Sequence, residues 1–436
     1  MSALWSDIPN GVQSGFIFAL LITPAILLTF VLLRGHQPLK LSFALVRAHR
    51  ATVFGFIALI AISVAVGIGL IAQERSLRIG AATAAEKFDI VIGAPGSETN
   101  LLFSTVFLQP NPLPLLDGEI VNQIYAHERT ALAAPMAVGD SYEGASVIGT
   151  TAEFLDHLGG LAEGRMWTNS LEAIAGIDAP VNVGQVFDPA HGHGADADAL
   201  AHEGLSLEVT GQLARTYSPW DQAIFVPVES VWETHGLANG HAPEDANQLG
   251  SPFDARYFPG ATAVIVVADS FSGTFQIHSD FNAEPATMAI LPGAVLGYLY
   301  RVLGDIRGVA TVLTWLSLGL VALAVLGGLA ILARLFTRHL AVLRAIGAPL
   351  RFVTATIWGF CALAILAGSV LGTLGAFGMV ALIGQVISAR TGISLPTSLG
   401  WSEFQLLAGF LSLSLLIAWF AAWRMAEKAD PQILRS

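Results

Sequence analysis

Five stretches of the chain contain no Asp, Glu, Lys or Arg: residues 8–33, 51–73, 309–333, 352–389 and 404–423. A helix needs about 20 apolar residues, at ~1.5 Å each, to cross about 30 Å of hydrocarbon, and every one of these stretches is long enough. They predict an α-helical transmembrane bundle of about five spans. A signal peptide would also be apolar and N-terminal, but it requires a basic leader and a small-residue cleavage site. Residues 1–13 carry only Asp7, and the run ends in Leu32, Leu33 and Arg34, so 8–33 reads as a retained span. As one helix, 352–389 would be roughly 57 Å long. Gly368, Gly372, Gly375, Gly378 and Gly384 are places to break it or to pack it closely, and one span plus a short outer segment before Arg390 is expected.

Between the second and third stretches lies an insert, 74–305, with mixed patterning. Its flanks, 74–87 and 286–308, read as helices and would form a two-helix stalk. Inside, β-branched runs predict strands at 88–92, 147–150, 205–209, 223–228 and 261–267. Helices are expected around 98–107, 117–127, 151–158 and 228–235. The low-complexity segment 188–203 reads as a break dividing the domain in two. The fold class is therefore a helical membrane bundle carrying a large α/β extracytoplasmic domain. Its parts are an N-terminal span (1–37), an amphipathic helix leading into a span (38–73), the stalk and α/β domain (74–305), and three spans (306–436) that enclose a cytoplasmic loop, 334–351, and end in a cytoplasmic tail.

Composition agrees: 436 residues, 54% hydrophobic, only 12% charged, about half the usual share. The charges are partitioned. The insert holds 29 acids and 8 bases, a net −21, while the rest holds 4 acids and 13 bases, a net +9. Arg34, Lys40, Arg47 and Arg50 follow the first stretch; Arg334, Arg338, Arg344 and Arg351 follow the third; Arg424, Lys428 and Arg435 follow the fifth. Short basic loops stay in the cytoplasm, so the N-terminus and the insert face outward and the C-terminus inward. A total of −12 argues against nucleic acid as a partner.

Motifs for chemistry are missing. A phosphate-binding loop needs Gly-Lys-Ser/Thr, but the three lysines, Lys40, Lys87 and Lys428, precede Leu, Phe and Ala. Energy must then come from another subunit or from a gradient. Gradient-driven carriers place ionisable groups in their spans, and these stretches contain none, nor any His. His127-Glu128 and His202-Glu203 open a zinc-protease motif without its second histidine. Gly93-Ala94-Pro95-Gly96-Ser97 reads as a plain strand-to-helix turn rather than an anion cradle. No enzyme activity is expected of this chain.

Three segments carry a resemblance. Leu39–Arg50 is an amphipathic basic stretch ahead of the second span; Arg338-His339-Leu340-Ala341-Val342-Leu343-Arg344-Ala345-Ile346-Gly347-Ala348 lies in the third basic loop; the chain closes on Ala-Asp-Pro-Gln-Ile-Leu-Arg-Ser. Together they resemble the permease subunits of MacB/FtsX-type (type VII) ABC transporters over about residues 38–436. The resemblance implies a multi-pass inner-membrane protein with its large domain in the periplasm or outside, working by mechanotransmission from a separate cytoplasmic ABC ATPase that binds the ATP. Its implied partners are that ATPase, a second copy of the chain, a periplasmic protein and the lipid bilayer; it leaves the cargo open among metal-linked, peptide and lipid/lipoprotein candidates. It implies ATPase-coupling roles for Arg338, His339, Leu340, Val342, Leu343, Arg344 and Gly347. The pattern has an acid where this chain has His339, it usually has four spans, and its tail spacing is one residue longer. The alternative function is a non-transporting regulator that controls a cell-envelope enzyme or sensor.

Eight of the 11 histidines lie in the insert. His191 and His193 project to one side of an extended chain, and His202 with a neighbouring acid would complete a zinc-like set. A solvated polar loop is the competing reading and the favoured one. Trp167, Trp220 and Trp232 are expected in the core, and Cys361 as inert packing.

Overall fold

A computed structural model of the chain describes residues 9–35, 37–192, 206–302 and 341–428, with 308, 312–316, 319 and 327–328 between them. In chain order its helices are α1 (Asn10–Leu33), α2 (Leu39–Ala48), α3 (Arg50–Ala85), α4 (Glu98–Thr105), α5 (Gly118–Ala126), α6 (Ala152–Leu158), α7 (Val228–Thr234), α8 (Phe271–Ala283), α9 (Leu350–Thr391) and α10 (Trp401–Lys428). Residues 292–302 and 341–345 are also helical. The chain divides into two compact units: 1–76 with 304–384 and 397–436, and 77–303 with 385–396.

Among the described residues four helices are long and apolar enough to cross a membrane: α1, α3, α9 and α10. The expected span 309–333 falls almost wholly outside the described residues. Within the first unit, Ile60, Val64 and Ile68 of α3 pack with Val353, Trp358, Phe360 and Ile365 of α9 and with Leu406, Phe410 and Leu415 of α10. The glycines of α9 do not break it, because 42 residues form one helix. Gly368 and Gly372 instead let α3 approach. A Cβ on either would lie 2.7 Å from an atom of Ile60 or Ala61, closer than real side chains come, which is the small-residue route to tight helix packing in a membrane. Cys361 is buried, its Sγ directed at the Ile357 carbonyl.

α1 joins α10 at two polar points. Gln405 Nε2 donates to the Ser14 carbonyl at 3.0 Å, and the Ser412 hydroxyl donates to the Leu21 carbonyl. In hydrocarbon there is no water to compete for such groups.

The second unit is one mixed sheet covered on both faces. Its strands are β1 (Ile90–Gly93), β2 (Thr130–Tyr142), β3 (Ala145–Thr150), β4 (Leu161–Gly164), β5 (Glu172–Ala175), β6 (Val186–Phe187), β7 (Ala190–His191), β8 (Leu207–Leu213), β9 (Ile224–Pro227), β10 (Ala263–Ala268) and β11 (Met288–Ile290). The spatial order is β11-β1-β10-β2-β3-β9-β5-β8-β4, with β6 on β8 and β7 on β2. β3–β9 and β5–β8 are parallel and the other pairs antiparallel. Alternate residues feed two cores, as a pleat with period two requires. Ile90, Ile92, Val264, Val266, Ile224 and Val226 face one side, while Val91, Ile265 and Phe225 face the other with Trp220. Trp167, Trp220 and Trp232 are all buried. Trp220 stacks on Phe225 and donates Nε1–H to the Thr105 carbonyl at 3.2 Å.

Two expectations change. The segment 188–203 does not divide the domain: β6 and β8, on either side of it, pair directly through Val186↔Glu208 and Phe187↔Leu207. It is an insertion between neighbouring strands of one sheet. The flank 286–308 is not helical throughout, because Met288–Ile290 adds to the sheet edge beside β1 before helix begins at 292. The Gly93–Ser97 stretch is a strand-to-helix turn, and the Ser97 side chain accepts the Asn100 N–H at the start of α4.

Candidate functional site

The basic loop ahead of α9 ends in a defined turn. Residues 341–345 are helical. Gly347 follows at φ +97°, a backbone region that costs an L side chain roughly 1–2 kcal/mol. The Gly347 N–H reaches the Arg344 carbonyl and the Ala348 N–H reaches the Leu343 carbonyl, both at 3.0 Å. These two crossed bonds are a Schellman cap, closed by glycine in the left-handed position. The string Leu-Arg-Ala-Ile-Gly-Ala is therefore a helix end with its stop built in. The cap leaves Ile346 at the tip, 76% exposed, and Val342 one turn back, 47% exposed, while Ala341 is buried. A large aliphatic side chain held out beside a turn is of the kind that anchors in a partner's apolar groove.

Two contacts fasten this end of the first unit. Arg344 Nη1 donates to the Ala426 carbonyl at 3.2 Å, at the C-terminal turn of α10, where a cation suits the helix dipole. Ser42 of α2 is fully buried against α9. Its hydroxyl lies 2.9 Å from the Thr356 carbonyl and 3.1 Å from the Pro38 carbonyl. Gly359 makes that approach possible, since a Cβ there would lie 2.7 Å from Ser42 Oγ. The amphipathic segment 39–50 thus packs on α9 through Ser42, while the turn ahead of α9 is fastened to α10 through Arg344. Of the candidate coupling residues, Val342, Leu343, Arg344 and Gly347 lie in this turn, whereas Arg338, His339 and Leu340 lie outside the described residues.

At the other end of α3 and α10, Arg75 Nε sits 3.0 Å from Glu403 Oε1, and the Glu403 side chain is 1% exposed. The Gly400 N–H and Ser402 hydroxyl also donate to Glu403, and Arg75 donates to the Ser398 carbonyl. The sequence reading missed this pair and the Ser42–Gly359 contact. One signal for the first was present: Glu403 is the only acid between Asp305 and Glu427, and a lone charge at the edge of a span needs a partner.

Of the three histidine candidates, only His191 lies among the described residues. His191 ends β7, its backbone opposite Asp140 of β2, and His193 and His202 lie outside the described residues. Among the described residues no three His, Cys, Asp or Glu side chains are grouped to hold a metal. Charged clusters in the second unit are structural. Arg165 grips Glu172 with two hydrogen bonds of 2.8 and 2.6 Å. That guanidinium, helped by Thr168 and opposed by burial, holds the Glu172 carboxyl down to about 2. His241 Nε2 and Glu229 Oε1, both buried, are 3.3 Å apart, and the Gly250 N–H donates to the same oxygen at 2.7 Å. Burial raises the nearby Tyr125 phenol far above its usual range, with Glu153 and Glu229 adding to the effect.

Comparisons with known proteins bear on both units. No curated protein matches the chain. Among solved structures, similarity extends to the extracellular domain of the noncanonic ABC-type transporter YknZ from Gram-positive bacteria, at 14% identity and TM-score 0.27, over 46% of this chain and 98% of that one. It extends also to the periplasmic region of MacB from Actinobacillus actinomycetemcomitans, at 10% identity and TM-score 0.30, over 49% of this chain and 94% of that one. The model of the FtsX-like permease C-terminal family matches residues 311–429, which contain the capped turn, α9 and all of α10. Those residues, with the capped turn among them, are thus similar to an FtsX-like permease C-terminal domain.

Proposed function

We propose that the chain is the transmembrane subunit of an ATP-driven transporter of the bacterial inner membrane, paired with a second copy and driven by a separate cytoplasmic ABC ATPase. The observation that carries this reading is the Schellman-capped turn inside the FtsX-like domain, which presents Ile346 four residues before α9 begins. The ATPase docks on Val342 and Ile346. Its closure moves α9, whose last residues, 385–391, cluster with the outer domain, and the work is delivered there rather than through a channel. The five uncharged stretches hold no Asp, Glu, Lys, Arg or His for cargo to exchange with, which fits such mechanotransmission.

The test is to solubilise the full chain from membranes with its bound proteins and measure ATP hydrolysis in the purified assembly. An ATP-hydrolysing polypeptide is expected to co-purify. Ile346→Asp is expected to release it, because burying an unpaired carboxylate at a docking point costs about 2–5 kcal/mol. Retention of full hydrolysis by Ile346→Asp, or no hydrolysing partner at all, overturns the reading and favours the regulator.

A further inference from the structure

A cavity of about 750 Å³ opens within the first unit between α1 and α9, floored by α10. Its walls are almost wholly apolar, from Ile26 and Thr29 on α1 to Trp358 and Leu366 on α9 and Leu415 on α10, and Arg34 closes one end. The bonds that fasten α1 to α10 use Ser14 and Leu21, whereas the groove is lined by α1 from Ile22 onward. The polar ties of the N-terminal helix lie in its first half; its second half packs Ala25, Leu28 and Leu32 into the core of this unit and leaves the groove open on its side toward α9.

Size decides what can fill the gap. The lined stretch of α1, Ile22 to Arg34, is roughly 18 Å long, and a helix of that length and ~10 Å width would need about 1,400 Å³. The groove offers about half of that, within the roughly 300–1,000 Å³ range of small-molecule sites. An apolar groove of this kind does not hold water, but one extended hydrocarbon chain suits it.

Charge decides the rest. Arg34 is exposed, with its guanidinium 5.8 Å from the Phe30 ring. No carboxylate near it in sequence can neutralise it: there is no acid from residue 8 to 73, and none from 306 to 402. Lys40, Arg47 and Arg50 add to the same basic edge, which the bias of the loops puts at the cytoplasmic leaflet. A counterion from outside the chain would sit next to an apolar slot, at the depth of a lipid headgroup. We infer that the groove between α1 and α9 holds one acyl chain of an anionic phospholipid whose phosphate pairs with Arg34. This assignment gives the N-terminal helix a task as one wall of a lipid site, and it is independent of the coupling segment.

The experiment reconstitutes the full chain into vesicles of equal phosphatidylglycerol and phosphatidylcholine, extracts it in detergent, and counts retained phospholipid by native mass spectrometry. Retention of phosphatidylglycerol is expected, about fivefold over phosphatidylcholine, the ratio that ~1 kcal/mol per basic residue gives. Arg34→Gln changes an exposed side chain and is expected to abolish the preference while lipid is still retained. Ile26→Trp, at an exposed position on the groove wall, is expected to fill the slot and lose both lipids. Equal retention of the two lipids by the wild type overturns the assignment, as does lipid retention unchanged in Ile26→Trp. A dimer that Ile26→Trp splits without loss of lipid also overturns it, in favour of a second copy seated in the groove.

Discussion

Single side chains set the sharpest constraints. The Arg75–Glu403 pair is buried on the carboxylate side and shares its oxygens with Gly400 and Ser402. Removing one partner strands a charge, so Arg75→Ala is expected to cost about 3–5 kcal/mol, whereas replacing both residues by leucine costs far less. Thermal unfolding of the three proteins in one detergent checks the order. Glu172 gives a pH signature in the outer domain. Its folded pKa, about 2, lies below the unfolded value, so its stabilising contribution is complete above about pH 4.5 and is lost as the pH falls toward 2. The stability gap between wild type and Glu172→Gln is therefore expected to be constant from pH 5 to 7 and to close below about 4.5 in acid titration of unfolding. Gly347 entered the sequence analysis only through the resemblance, and its role as a helix cap came from the structure. Ser42 and Gly359 were not legible in the sequence, because the Ser42–Thr356 contact joins residues 314 apart and nothing local announces it.

Elements with strong local patterning were legible and those set by tertiary pairing were not. Strands at 90–93, 145–150, 224–227 and 263–268 lie on runs of Val and Ile, and α4 to α7 lie close to their expected ranges. β2, the longest strand, was missed. It reads TALAAPMAVGDSY, alanine-rich with a proline and a glycine, a composition that argues against a strand taken alone. It is held from outside by β10 and β3 on either side, with Pro135 opposite Val264. α8 was also missed; its exposed Phe271 and Phe275 blur the apolar stripe of an amphipathic helix. In α9 the glycines have unequal duties. Gly372→Val is expected to push α3 away at a cost of about 1–3 kcal/mol, since a Cβ there lies 2.7 Å from the Ala61 carbonyl oxygen. Gly378 has no neighbour within 4 Å, so Gly378→Val is the control and is expected to leave the melting temperature near that of wild type.

At the scale of the molecule, charge alone separated the membrane unit from the outer one: −21 in the insert against +9 elsewhere. The same bias predicts which side each surface faces. In a Cys361→Ala background, Asn239→Cys is expected to react with a membrane-impermeant thiol reagent in intact cells, and Lys428→Cys only after permeabilisation. The reverse pattern would overturn the orientation. What charge could not reveal was that α9 is unbroken from Leu350 to Thr391, because glycine looks the same in a hinge as in a close contact. An unbroken rod turns length into angle. Each residue added to or taken from it swings everything beyond by about 100° and shifts it by ~1.5 Å, whereas seven residues return to within about 20° of the starting bearing. Gly392, lying just past the rod against Pro219 where no Cβ fits, would lose its seat under a one-residue change. Drift in the length of this helix is therefore a matter of phase, and lineages are expected to lengthen or shorten it by near-whole turns.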